Sequence, residues 1–176
     1  MLPKKLGLTQ SIFSRRKARN SESVNLIFLG DVYRDKGERE KALHNYQVAL
    51  GIASSFNWQV QLSQIHGSLA RLSLDEGAFD DATAHIERAK SYAQEDAYRL
   101  GRVMEMQALI WYRQGRLEAA TSEGLLALET YEKLGASKDA ERCRELLRAI
   151  EEAVENQSTS GRSDPSGELL YGLPCS

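Results

Sequence analysis

The chain has 176 residues, 27% of them charged and 41% hydrophobic, with a formal net charge of -2. This is the balance of a soluble, folded protein built as one domain or one short repeat array. Three prolines and 7% aromatic residues, against recurrent Ala, Leu, Glu and Arg, favour helix and argue against a β-sandwich or barrel. The longest apolar run, Ala108 to Tyr112, is far shorter than the roughly 20 residues a transmembrane helix needs.

The first twenty residues contain Lys4, Lys5, Arg15, Arg16, Lys17 and Arg19 and no acid, which leaves the acidic excess on the rest of the chain. They lack the apolar stretch and small-residue cleavage site of a secretory signal. Residues 1–20 are expected to be a solvated basic arm leading into the first helix, with Ser21 or Ser23 as its N-cap. Such an arm can meet nucleic acid, an anionic membrane or an import receptor. The acidic body disfavours extended nucleic-acid contact, and the arm has no amphipathic stretch long enough for a membrane helix. Ile12-Phe13 could instead cover the exposed end of the array.

From there the chain repeats itself. Leu26, Leu29-Gly30 and Tyr33 are followed by Gly37, Ala42, Tyr46 and Ala49. His66, Leu69-Ala70 and Ser73 are followed by Gly77, Ala82, Ile86 and Ala89. Met104, Gln107-Ala108 and Trp111 are followed by Gly115, Ala120, Gly124 and Ala127. Three columns (37/77/115, 42/82/120 and 49/89/127) advance in one register. The glycines suit the turn between two amphipathic helices, because glycine enters the left-handed conformation without a Cβ clash. The small Gly30, Ala70 and Ala108, facing Ala42, Ala82 and Ala120, let the two helices lie close. The spacing predicts helices over 22–35, 39–55, 58–75, 79–94, 97–113, 117–134 and 138–154. The last, with Ser137 as N-cap and Asp139 and Glu141 near its positive end, carries Cys143, Leu146, Leu147 and Ile150 on one face. It would seal the array. The remainder, 155–176, is rich in Ser, Gly, Pro and Asp and is expected to be a disordered tail. Within it, Leu169-Leu170-Tyr171 is a candidate docking segment.

The W-x2-L-G-x2-Y…A-x3-F pattern of these segments resembles the tetratricopeptide repeat (TPR). The resemblance implies an all-α fold: an α-α superhelix of three helix-turn-helix repeats, over about 23–60, 63–98 and 101–136, plus a C-terminal capping helix at 138–154. The whole domain would span 21–154. The departures are Ser73 and Gly124 in place of large residues, which predict looser packing, and repeats longer than 34 residues, which predict a second helix lengthened by about a turn. More specifically, Phe79-Asp80-Asp81-Ala82, His85-Ile86-Glu87, Ala89-Lys90 and Leu134-Gly135-Ala136 are similar to the C-terminal TPR region of fungal (basidiomycete) proteins. There, such repeats follow a STAND-class NACHT or NB-ARC module and act as its sensing or partner-binding arm. The chain itself has no G-x-x-x-x-G-K-[ST] phosphate loop.

The residues nominate no chemistry. His44, His66 and His85 stand in separate helices without a second ligand at i+4, so no zinc site is expected. His66 reads as a core histidine; His44 and His85 read as surface or groove-edge residues. Asp80-Asp81 sits in a first turn and Glu151-Glu152 on a solvated face, neither being a catalytic pair. Cys143 reads as a small core residue. With Cys175 it makes no disulfide framework, so a reducing compartment, cytoplasmic or nuclear, is expected. The expectation is a non-enzyme without cofactor or metal.

What remains is a concave surface. The register places Ile27, Asp31 and Arg34, then Gln64, Gly67 and Arg71, on its inner side. Arg102, Glu105, Leu109, Tyr112 and Arg113 follow, with Arg144 and Arg148 from the last helix. Arginine and tyrosine favour a protein or peptide partner, an acidic one in particular; the competing expectation is a solvated face with internal ion pairs such as Asp31 with Arg71. TPR clamps for chaperone carboxylate tails use Lys and Asn at places where this chain has Ile27, Asp31, Ser68, Arg102 and Met106, so that function is disfavoured. The reading is an adaptor or sensor arm. The alternative is a regulator whose basic arm touches nucleic acid while the repeats dock a protein. A homodimer through the exposed ends is a further expectation.

Overall fold

A computed structural model describes residues 3–94 and 96–160, with side chains over 11–94 and 96–159. Seven helices follow one another: α1 (Pro3–Asp35), α2 (Arg39–Ser55), α3 (Gln59–Asp75), α4 (Phe79–Ala93), α5 (Ala97–Arg113), α6 (Leu117–Lys133) and α7 (Ser137–Ser160). No strand occurs among the described residues, and none of these helices is long and apolar enough to cross a membrane.

Each helix packs on its chain neighbours. The odd-numbered helices also touch in succession, α1 to α3, α3 to α5 and α5 to α7, whereas α2, α4 and α6 do not touch one another. Contact along one layer only bends the stack toward that layer, consistent with an α-α superhelix whose inner wall is α1, α3, α5 and α7.

The turns after α1, α3, α5 and α6 have one chemistry, whereas α4 ends instead on Gln94 (φ 48°). Gly37 (φ +74°) donates its N–H to Arg34 O at 2.8 Å while Glu38 N–H reaches Tyr33 O at 2.8 Å. This pair of bonds is the Schellman closure, and it needs a left-handed residue at its centre. Gly77, Gly115 and Gly135 share the conformation. At the end of α2 the same place is taken by Asn57 (φ 53°), a residue that tolerates it better than most.

The helix ends differ from expectation in several places. α1 begins at Pro3, so the basic arm is helical; a first-turn proline is tolerated, and from Thr9 to Ala18 no proline or glycine interrupts the chain. The side chains of 11–19 are nevertheless exposed, as a solvated arm requires. Ser21 and Ser23 lie inside this helix and cap nothing; Ser23 is fully buried and donates to Ala49 O at 3.4 Å. Ser137 is likewise inside α7 and donates to Gly135 O. Among the described residues, a side-chain N-cap is seen at Asp96, which accepts from Arg99 N–H at 2.9 Å. α7 continues through 155–160, which were expected to be tail, while 161–176, with Leu169-Leu170-Tyr171 and Cys175, lie outside the described residues. Within the second and third pairs the two helices are of similar length: α3 has 17 residues and α4 has 15, and α5 and α6 have 17 each.

The core runs between the layers as a chain of clusters. Ile27, Ala42, Tyr46 and Ala49 lead to Ala70, Ala82, Ile86 and Ala89, and then to Ala127, Tyr131, Ala140 and Cys143. Two glycines matter here through lack of volume. A Cβ on Gly30 would stand 2.4 Å from Tyr46 Cε1, and one on Gly101 would stand 3.1 Å from Tyr131 Cε1. Each buried tyrosine ring therefore lies against a glycine of the inner helix. Gly124, expected to loosen its surroundings, does not: its missing side chain leaves room for Leu147 of α7, whose Cδ2 would lie 2.8 Å from a Cβ there.

Candidate binding groove

The inner wall encloses a cavity of about 750 Å³, lined from α1, α3, α5 and α7, with Ile86 of α4 behind them. Eight of the residues expected there line it: Asp31 and Arg34, Gln64, Gly67 and Arg71, and Arg102, Glu105 and Leu109. Its more apolar floor is Val103, Met106 and Leu109, with Val60 and Leu146 nearby.

Five expected residues are elsewhere. Ile27 is fully buried in the first core cluster, because it continues the Ser23–Ile27–Gly30 stripe that faces α2. Tyr112 packs half-buried beside Leu117, Ala120 and Ile150, and Arg113 is exposed at the end of α5. Arg144 and Arg148 turn away on α7, where Arg144 pairs with Glu132 at 2.6 Å and with Glu141 at 3.1 Å, and Arg148 with Glu141 at 3.3 Å. The groove face of α7 is instead Asp139, Arg142, Glu145 and Leu146. Reading α7 two positions out of register turns its face by about 200° at 100° per residue, and no helix follows α7 among the described residues to fix its facing. Asp96, Tyr98 and Arg99, at the start of α5, were also missed; the Asp-x2-Arg spacing of an N-cap is the signal that could have found them.

The charges of the groove are largely spent on one another. Asp31 accepts from Tyr46 Oη at 2.7 Å, Ser68 Oγ at 3.0 Å and Arg34 Nη1 at 3.3 Å. It does not pair with Arg71, which faces Asp75 at 3.6 Å. Glu105 accepts from Tyr131 Oη at 2.7 Å and from Arg142 through Nε and Nη2 at 2.5 and 2.6 Å. Arg142 also meets Asp139 at 2.9 Å, and Tyr98 Oη donates to Asp139 at 3.1 Å. Burial first, and the adjacent carboxylate second, hold both the Tyr46 and Tyr131 hydroxyls above the usual phenol range. Hydrogen bonding to Glu105 holds the Arg142 guanidinium charged. Five arginines and five carboxylates line the cavity, so it carries no net charge. Among the described residues, Arg102 and Glu145 line it without an ion pair, and both are exposed.

The remaining candidates fall outside the groove wall. His66 is buried and meets His85 across the α3–α4 interface, Nδ1 to Nδ1 at 3.1 Å, with Tyr92 stacked on His66 at 5.7 Å. His85 is thus half-buried rather than a surface residue, while His44 is exposed. Burial, then His85, then Arg88 push His66 down to about 4, and His85 is lowered by burial and Arg88. Two imidazoles form no metal set, and no group of three or more His, Cys, Asp or Glu able to hold a metal ion occurs among the described residues. Asp80 and Asp81 stand in the first turn of α4, and Glu151 and Glu152 are exposed. Cys143 is fully buried and donates to Gly124 O at 3.3 Å; burial pushes its thiol up to about 11, which makes it a poor nucleophile.

No protein-family model matches the chain, and no curated protein matches it.

Proposed function

We propose that the chain is a TPR-type solenoid of three hairpins closed by α7, and that it works as a non-catalytic adaptor or sensor arm holding a protein or peptide in its groove. The observation that carries this reading is Arg102, exposed without an ion pair beside Val103, Met106 and Leu109. An unpaired guanidinium over an apolar floor suits an acidic side chain followed by apolar ones. The balanced charge of the wall narrows the expected partner from a generally acidic peptide to one bearing a few placed carboxylates. Arg71, with a single 3.6 Å ion pair to Asp75, is the second anchor. Kinship with fungal STAND sensor arms rests on the sequence resemblance alone.

The test is reversal of both anchors, Arg71→Glu with Arg102→Glu. Partners recovered with the unaltered protein should be lost, with helicity retained by circular dichroism. Undiminished recovery ends the proposal. A second reading is favoured by one observation: Arg15, Arg16 and Lys17 stand exposed on α1 with no ion pair among the described residues. Such a helix suits nucleic-acid phosphates. Binding that falls steeply with salt and disappears on deleting residues 1–20 would support it.

A further inference from the structure

We propose that two copies of the chain pair through α1, the two helices lying antiparallel so that the basic half of each crosses the apolar half of the other. The pairing needs neither Arg71 nor Arg102, so it goes beyond the proposed function and does not rest on it.

The two ends of the array differ. α7 closes one end with a charged outer face, where Arg144 and Arg148 pair with Glu132 and Glu141. A solenoid end needs such a polar face for solubility. α1 leaves the other end open. Phe28 is 59% exposed, Leu29 47% and Val32 48%, and with Asn25 they line a shallow hollow. They lie on the side of α1 opposite Ser23, Ile27 and Gly30, the residues turned to α2. Toward the N-terminus, 11–19 stay helical with every side chain exposed, although helices in proteins draw most of their stability from packing.

At alternating steps of three and four residues, an exposed seam runs along α1 from Ser11 to Asp35. This is the spacing by which two helices interlock. The first half of the seam is small and the second half holds the large apolar groups. An antiparallel pair centred at the level of Ser23 sets Phe28 over Ala18 of the second copy, Val32 over Ser14 and Asn25 over Ser21, each contact made twice. Large side chains meet small ones throughout, and a polar Asn within such a seam fixes its register. A parallel pair would set Phe28 on Phe28 and Ser14 on Ser14, splaying the helices at one end and leaving a void at the other. Ile12 and Phe13 stand outside the seam.

Charge selects the same orientation. Lys17 has no ion pair among the described residues, and the antiparallel pair brings it opposite Asp31, offset by two residues or about 3 Å. Asp31 accepts its three hydrogen bonds on Oδ1 alone, which leaves Oδ2 for the ammonium. Arg15 lays its apolar stem over Leu29. Glu22, near the axis, meets its own copy, and Arg19 at 2.8 Å on the same helix offsets that repulsion. The seam is about 36 Å long and a helix about 11 Å across. Two such strips amount to about 800 Å², below the roughly 1,200 Å² of the smaller stable interfaces. The dimer is therefore reversible, with a Kd on the order of 10 µM.

Sedimentation equilibrium of the full chain between about 1 and 200 µM reads the association. The unaltered chain should pass from monomer to dimer across that range. Phe28→Asp with Val32→Asp, both at exposed positions, should raise the Kd at least about 100-fold while the helical signal is retained. Orientation is read without those variants, in chains where Cys175→Ser leaves only the buried Cys143. Chains carrying Ser14→Cys and chains carrying Val32→Cys, mixed and oxidised, should cross-link to each other and not to themselves. Cross-links between like chains mean a parallel pair and overturn the proposal. So does a chain that stays monomeric throughout, a larger oligomer, or a dimer indifferent to Phe28 and Val32. Arg71→Glu with Arg102→Glu should leave the dimer unchanged, so failure here and failure of the groove reading are told apart.

Discussion

Two glycines inside neighbouring helices should respond to the same substitution with opposite sign. Gly30 of α1 and Gly51 of α2 are both interior helical residues, and a Cβ on Gly51 would meet nothing within 4 Å. Gly51→Ala therefore gains only helix propensity, a stabilisation of about 1 kcal/mol. Gly30→Ala gains the same but sets its methyl 2.4, 2.6 and 2.9 Å from three carbons of the Tyr46 ring, itself fully buried. The closest of these is about 1 Å short of ordinary carbon–carbon contact. Such overpacking costs about 1–3 kcal/mol. The displaced ring also draws its hydroxyl from Asp31, a hydrogen bond to a charged group worth about 1.5–3 kcal/mol. The net loss for Gly30→Ala is about 2–4 kcal/mol once propensity is returned. Urea unfolding followed by far-UV circular dichroism reads both variants. The midpoint should fall for Gly30→Ala and rise for Gly51→Ala. A Gly30→Ala chain as stable as the parent would refute the close approach of α1 to Tyr46 and the packing argument with it.

Other consequences are as specific. Stability should rise with pH between about 4 and 6.5: His66 titrates at about 4 when folded against 6.5 as a free side chain, and His85 is lowered too, so the unfolded chain binds more protons across that window. The loss on acidification should reach about 3 kcal/mol from His66, with Arg88 adding to it and Asp81 opposing it at His85. Urea midpoints measured across this range, beside His66→Gln, should show the slope and its flattening. Leu147→Ala should cost about 2 kcal/mol or more, because it empties the space against Gly124; a thermal midpoint unchanged from the parent would contradict that. Cys143 should resist a thiol reagent at neutral pH in the native protein and react at once in denaturant, since its sulfur is buried and its thiol sits at about 11. Rapid labelling of a native chain in which Cys175→Ser leaves Cys143 as the single thiol would argue against its place under Gly124.

Much of the architecture was legible because it is local. Gly37, Gly77 and Gly115 mark turns through their own backbone freedom, and Ala42, Ala82 and Ala120 mark close helix contact through their own size. Asp31, Arg34, Gln64, Arg71, Arg102, Glu105 and Leu109 reached the groove because the three related first helices share one register. The misses are long-range. Tyr46 and Tyr131 do the same work from unrelated columns, one against Gly30 and the other against Gly101, so no aligned position reveals the exchange. His66 meets His85 only after α3 folds on α4. Among the described residues no helix follows α7 to set its facing, which misplaced Arg144 and Arg148. The extension of α1 to Pro3 reflects intrinsic helix preference, which competes weakly with every alternative until a partner surface decides.

The hydroxyls of Tyr46 and Tyr131 end on Asp31 and Glu105, carboxylates that face the groove from the other side. Under the proposed function, recognition and folding would thus share atoms. Altering either acid to suit a new ligand strands a phenol in the interior, so ligand preference can drift at these two places only together with a change beneath them. Arg102 carries no such anchor. On the proposed function, it is where specificity could evolve without cost to the scaffold.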